Sequence, residues 1–228
     1  MKQVVLILMT TLLLVCFTGC PGPGSPSTTD YREGDTGPGN GIVFYDDTIG
    51  FDFDNDGVIQ SDEKDLLDGT NDGTVSGDRY LEASPTDWPD SEAKAWGIDD
   101  VNTSVTDLLG STPDELSGSV GNGEPNTAII IAAIESATET DTAAQWCVSY
   151  SGGTLTDWFL PSIGELLLLY ENKVIVGNFN TSQMTTEYYS SSECSDHFSV
   201  WSVYFYNGSI TTTARTFSDG HVRPVRAF

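Results

Sequence analysis

Residues 52–63 read Asp-Phe-Asp-Asn-Asp-Gly-Val-Ile-Gln-Ser-Asp-Glu, and no other stretch constrains the chain as tightly. The acids recur at every second position, a glycine follows, and an acid closes the twelve. A hard cation such as calcium takes six to eight oxygens, and a twelve-residue loop of this kind supplies them at fixed positions. Asp52, Asp54 and Asp56 stand at positions 1, 3 and 5, and Gly57 at position 6, where the backbone must turn sharply. Val58 at position 7 offers its carbonyl, Gln60 at position 9 acts through water, and Glu63 at position 12 binds through both oxygens. Ile59 supplies the apolar side chain at position 8. The spacing predicts a calcium site.

The flanks differ from a helix–loop–helix unit. Gly41 to Tyr45 is short, β-branched and aromatic, the signature of a strand, and Lys64 to Leu67 allows one helical turn before Asp68-Gly69. A single site on a strand connection braces a loop, with an affinity in the ~10⁻⁴–10⁻³ M range of extracellular modules. Asp68 to Gly73 resembles the opening of a second loop without its closing acid, and reads as a turn.

The N-terminal residues indicate the compartment. Lys2 precedes an apolar run from Val4 to Phe17, fourteen residues against the ~20 that a spanning helix needs. Residues 1–19 therefore read as a secretory signal. Phe17-Thr18-Gly19-Cys20 is similar to a bacterial lipobox, with Cys20 the lipidated residue, and Pro21 after it leans toward the outer membrane or cell surface. Such an anchor attaches a protein to the membrane without spanning it. Residues 20–33, rich in Pro, Gly, Ser and Thr, read as a tether. Residues 34–228 suffice for one domain.

The net charge is −25. Residues 46–78 hold eleven acids against Lys64 alone. This field repels phosphate backbones, which excludes nucleic acid as a partner and leaves basic partners and divalent cations. With Cys16 and Cys20 assigned to the signal and anchor, Cys147 and Cys194 remain. They read either as a disulfide or as two separate buried thiols.

Helices are predicted after an Asn126 cap, from Asp141 to Cys147, and from the capping box Ser162-Ile163-Gly164-Glu165 onward. Asn207-Gly208 between two strand-like runs marks a hairpin, and residues 221–228 read as a last strand. Strands, then helices, then strands give an α+β fold of one small, mostly antiparallel sheet with about three helices.

Taken together, Gly34 to Gly39, Ile42 to Tyr45, Tyr80-Leu81-Glu82-Ala83, Ala95-Trp96-Gly97, Asn126-Thr127, Cys147, Asp157 to Ser162, Glu165-Leu166, Leu169-Tyr170, Tyr188 to Glu193 and Val222 to Phe228 resemble the Lcl C-terminal domain family, named for a bacterial collagen-like surface adhesin. The resemblance covers residues 34–228. It implies a C-type-lectin-like fold with paired N- and C-terminal strands, and a secreted or surface role. Residues 46–78 stand as an insertion relative to that family, an add-on on which the fold from Tyr80 onward does not depend. The adhesin is linked to sulfated polysaccharide through basic residues. With nine Lys and Arg in this chain, that ligand is not carried over.

The resulting expectation is a non-enzymatic surface lipoprotein that binds or adheres through a calcium-braced domain. Its ligand is an unidentified host or matrix protein or glycan. A structural envelope protein without a ligand is the alternative. A formylglycine-generating type of enzyme is less favoured, because Glu193 and Asp196 beside Cys194 oppose a thiolate. Glu124-Pro125-Asn126 spells a tripeptide that C-type lectins use to chelate a sugar-binding calcium, but its place before a helix favours a capping role. Trp88, Trp158 and Trp201 read as core, and His221 as a strand residue with no partner visible in the sequence.

Overall fold

A computed structural model describes residues 30–67, 77–88, 95–97, 119–136, 140–182 and 186–228. The signal segment, Cys20 and the Asp68-to-Gly73 turn lie outside them. Among the described residues, six strands form two antiparallel three-stranded sheets, accompanied by four helices, so the fold is α+β. No described helix is long and apolar enough to cross a membrane.

The first sheet contains β1 (Ile42–Asp46), β2 (Tyr80–Ala83) and β6 (Val225–Ala227), in the order β1-β2-β6. The terminal strands share this sheet but do not pair with one another, because β2 lies between them and pairs with both. Three rings close the end of this sheet. Tyr31 meets Tyr80 and Phe228 edge-on at 5.4 and 5.2 Å, so the packed unit begins at Tyr31. The last strand is shorter than expected. Pro224 carries no N–H for a ladder, and Arg223 is drawn aside to Asp87.

Every residue of β2 is buried, including Glu82. Burying an unpartnered carboxylate is costly, and here the charge is met on two sides. Gly39 and Gly41 donate backbone N–H groups to it at 2.9 and 3.0 Å, and Arg226 Nη1 donates at 3.0 Å. Arg226 also binds Asp157 at 2.6 Å. The glycines permit the approach. A Cβ on Gly39 would stand 2.6 Å from the Trp158 ring, and one on Gly41 would stand 2.6 Å from the Ala83 carbonyl.

The second sheet is β3 (Glu187–Glu193), β4 (Ser199–Tyr204) and β5 (Ser209–Ala214). The Asn207-Gly208 hairpin forms as predicted, in a continuous register from Tyr204↔Ser209 to Ser199↔Ala214. Phe159 bridges to Val225 of the first sheet.

Helix α1 (Gly123–Ser136) starts three residues before the predicted cap. Asn126 lies inside its first turn, near Ser191 Oγ at 3.4 Å. The N–H groups of Gly121 and Gly123 are taken by Glu165, so a side chain distant in sequence does the work assigned to Asn126. Helix α2 (Ala143–Ser149) starts two positions inside the predicted start, capped by a reciprocal box of Thr142 with Gln145. Helix α3 (Ile163–Glu171) keeps the predicted Ser162–Glu165 box, and α4 (Lys173–Val176) is a single turn.

One core cluster joins Phe44, Leu81, Phe159, Leu166, Leu169, Val203 and Phe205. A second joins Trp96, Ile130, Ile134, Cys147, Leu160, Tyr189 and Val222.

The crowding over Glu82 sets a prediction. Gly39→Ala should lower stability by about 1–3 kcal/mol through overpacking. Val174→Ala, at a position 87% exposed, should stay within about 0.5 kcal/mol. Urea midpoints of the two variants decide it.

Candidate metal centre

The calcium-type loop leaves β1 through two consecutive aspartates. Asp46 takes Arg79 Nη2 at 2.9 Å. The Asp47 carboxylate is buried, and that burial pushes its pKa up. It accepts from the backbone of Leu66 at 2.8 Å, from Leu67 at 3.1 Å and from Tyr45 Oη at 2.9 Å. Both ends of the segment are thereby tied to β1. Gly50, at φ +81°, reverses the chain beneath the Glu63 carbonyl, which accepts from Phe51 N at 3.0 Å.

The loop contributes to the core rather than standing apart from it. Phe53, between the first two aspartates, is 8% exposed and joins Phe44, Leu81 and Phe159 in the main cluster with Leu66. Two apolar side chains of the segment expected to be an add-on sit among those of β1, β2 and α3. The turn also differs from expectation, since a 3-10 turn covers Ser61–Glu63 in place of one after Lys64.

Within the loop, carboxylates organise the backbone. Asp52 accepts from Asp56 N at 3.1 Å and Gly57 N at 2.8 Å, and Asp54 accepts from Asp56 N at 3.0 Å. Gly57, at φ +88°, makes the sharp turn that position 6 demands. Glu63 is buried, and its Oε1 accepts from Phe53 N at 2.7 Å while Oε2 accepts from Gln60 N at 2.9 Å. Asp52, Asp54 and Glu63 each present a carboxylate oxygen, all within 4.8 Å of one another. At Asp54, a backbone hydrogen bond from Asp56 lowers the pKa. Partial desolvation and the nearby carboxylates of Asp56, Asp52 and Glu63 outweigh it, so the group sits above its ordinary value.

This spacing fits calcium. Donors on one ion at 2.3–2.6 Å can stand no farther apart than about 5 Å, twice that distance. The three carboxylates meet this limit. Asp56 is not in this group; its carboxylate accepts from Val58 N at 2.8 Å and Gln60 Nε2 at 3.2 Å. Gln60 thus presents a donor to the acids. The Val58 side chain is 61% exposed and that of Ile59 40%, so the position-8 residue is only partly covered.

Among the other candidates, the disulfide is not formed. Cys147 and Cys194 are both free and buried, the first inside the second core cluster and the second on the turn after β3. Burial raises both thiols, Cys147 well above its ordinary value. Burial, reinforced by Asp196 and Glu193 against the pull of Arg215, takes Cys194 up to about 12. Both shifts disfavour the thiolate form at neutral pH. Glu193 itself is buried against Arg215 at 2.7 Å.

His221 has partners that the sequence alone does not reveal. It stacks on Tyr188 at 5.3 Å and stands 3.5 Å from Asp87. Asp87 also holds Arg223 and the Tyr188 hydroxyl at 2.8 and 2.7 Å. Asn126 is buried and offers no exposed ligand for a sugar. Trp158 is core, as expected, with Tyr150 edge-on at 4.8 Å. Trp88 donates to Ser149 Oγ at 3.0 Å, and Trp201 packs half-buried against the main cluster.

No protein-family model matches the chain, and no curated protein matches it.

The thiols give a direct test. In the folded protein at pH 8, neither Cys147 nor Cys194 should react with a maleimide over minutes, and both should react in denaturant without prior reduction. Mass spectrometry of the labelled peptides reads the outcome.

Proposed function

We propose that the chain is a bacterial envelope lipoprotein. Its domain, residues 34–228, is C-type-lectin-like, related to the Lcl C-terminal domain, braced by calcium in the 52–63 loop, and serves binding or adhesion without catalysis. Acyl chains on Cys20 hold it to the outer membrane or cell surface, and the ligand is an extracellular protein or glycan. The observation that carries the calcium reading is the convergence of Asp52, Asp54 and Glu63 to within 4.8 Å in a loop whose amides already order those carboxylates. An ion there would bind the three carboxylates and offset the mutual repulsion of like charges, which is a structural role.

A further observation supports the lectin-like reading. Residues that carry the family resemblance meet in space, since Gly39, Glu82, Asp157, Trp158 and Arg226 form one contact network around β2. The absence of a sulfated-polysaccharide ligand is supported by the arginines. Arg215, Arg223 and Arg226 are committed to Glu193, Asp87 and Glu82. The buried thiols weigh against an oxidase.

Calorimetric titration of the chain from Pro21 onward should find one calcium site with Kd on the order of 10⁻⁴–10⁻³ M. Melting temperature should rise with calcium, because a ligand bound only by the native state stabilises it. Glu63→Gln removes the charge and keeps one of the two backbone-accepting oxygens, and should weaken binding at least about tenfold. Unchanged affinity in that variant, or no heat at millimolar calcium, would refute the site.

A further inference from the structure

Helix α4 buries one of its three aliphatic side chains. Val176 joins the main core, whereas Val174 is 87% exposed and Ile175 45%. The turn is closed by its own backbone, with Ile175 and Val176 both donating N–H groups to the Asn172 carbonyl at 3.0 Å. Two neighbouring exposed aliphatics do not by themselves make a site. Their place in the fold decides what covers them.

That place is the entry point of the chain into the domain. A Cβ on Gly34 would stand 3.3 Å from Ile175 Cγ2. Three residues upstream, Tyr31 begins the packed unit against Tyr80 and Phe228. On its other side α4 meets an aromatic rim. The Lys173 ammonium lies 3.6 Å from the centre of the Tyr170 ring, and that ring packs against Gly208 of the turn between β4 and β5. Tyr206, on the same turn, is 39% exposed. Aliphatic side chains edged by tyrosine and lysine suit the boundary between hydrocarbon and lipid headgroups.

The occupant follows from the length of chain upstream. Cys20 and Tyr31 are eleven residues apart, a separation that spans at most about 40 Å. This is comparable with the width of a domain of roughly 200 residues, so the entry face is the one held toward whatever Cys20 is attached to. Two aliphatic side chains and part of a tyrosine fall far short of the roughly 1,200 Å² that a stable protein interface buries. A tethered bilayer needs no such area, because the tether supplies the local concentration. Glu33, Asp35 and Glu171 are exposed beside these residues in the chain, which disfavours anionic headgroups.

We infer that α4 is a membrane-contacting tip, with Val174 and Ile175 docking the entry face onto the zwitterionic bilayer that holds the anchor. The inference rests on the reading of Cys20 as the lipidated residue. It also orients the domain. Phe198, 62% exposed, lies at the opposite end of β4 from Tyr206, about 20 Å away along a six-residue strand, and is left facing outward.

Two dye positions test it, since the native thiols are buried. Val174→Cys and Phe198→Cys, each carrying nitrobenzoxadiazole, are made in the chain from Pro21 onward with an N-terminal hexahistidine tag. Nickel-chelating lipid in phosphatidylcholine vesicles then holds the tether at the bilayer whatever Cys20 carries. On the vesicles, iodide should quench the dye at position 174 at least about threefold less than in solution, because an anion is excluded from the apolar layer. Imidazole release should restore the solution value, and quenching at position 198 should not change. Ile175→Asp in the Val174→Cys chain should remove the protection while the circular dichroism stays folded. Unchanged quenching at 174, equal protection at both positions, or protection that survives Ile175→Asp would overturn the tip. The mass of the full-length product from bacterial membranes reads acylation separately, and its absence would sink the anchor reading and the orientation with it.

Discussion

A carboxylate buried in the middle strand of the first sheet sets the arrangement around it. Glu82 has no place in an apolar interior unless its charge is met. It is met by backbone N–H groups of the glycine loop and by Arg226 of the last strand. Those contacts require the 37–41 loop to lie flat over Trp158 and require β6 to dock beside β2. The same chemistry recurs in the other irregular connections. Asp47 gathers the amides of Leu66 and Leu67, Glu165 those of Gly121 and Gly123, and Glu63 those of Phe53 and Gln60. Loop amides cannot be left unpaired in a folded interior, and charge-assisted bonds to carboxylates are stronger than neutral ones. Part of the acidity of this chain is therefore internal scaffolding.

The candidate metal loop extends that device. Its first aspartates and its closing glutamate already act as acceptors for the loop backbone, which leaves three negative groups facing one another. A divalent cation is the natural complement of such an arrangement. Phe53 lies between two of the three carboxylates and reaches the main core, so ion binding and core packing are adjacent in the chain. A calcium effect on stability would then extend through the domain instead of remaining in a surface loop.

Local signals in the sequence were legible where the interaction is local. The strand at Ile42 to Tyr45, the Ser162–Glu165 box, the Asn207-Gly208 hairpin and the grouping of Asp52, Asp54 and Glu63 each involve near neighbours, and each appears in the structure. The start of α1 was misplaced because its amides are held by Glu165, about forty positions away. The Thr142–Gln145 box was masked by the adjacent Asp141, an equally good cap by residue type. The separation of the terminal strands by β2, the anchoring of Phe53 and the Asp87–Arg223–Tyr188–His221 cluster depend on long-range packing that no residue spacing encodes. A buried thiol pair likewise looks the same as a disulfide until the two environments are seen.

The central claim, that the acids of the 52–63 loop are arranged around one calcium ion and joined to the core, is tested most directly by a crystal structure grown in calcium. The account predicts a single ion at about 2.3–2.6 Å from oxygens of Asp52, Asp54 and Glu63, with Phe53 still packed against Phe44 and Leu81. An ion bound elsewhere, or these three carboxylates splayed apart with Phe53 outside the core, would contradict it.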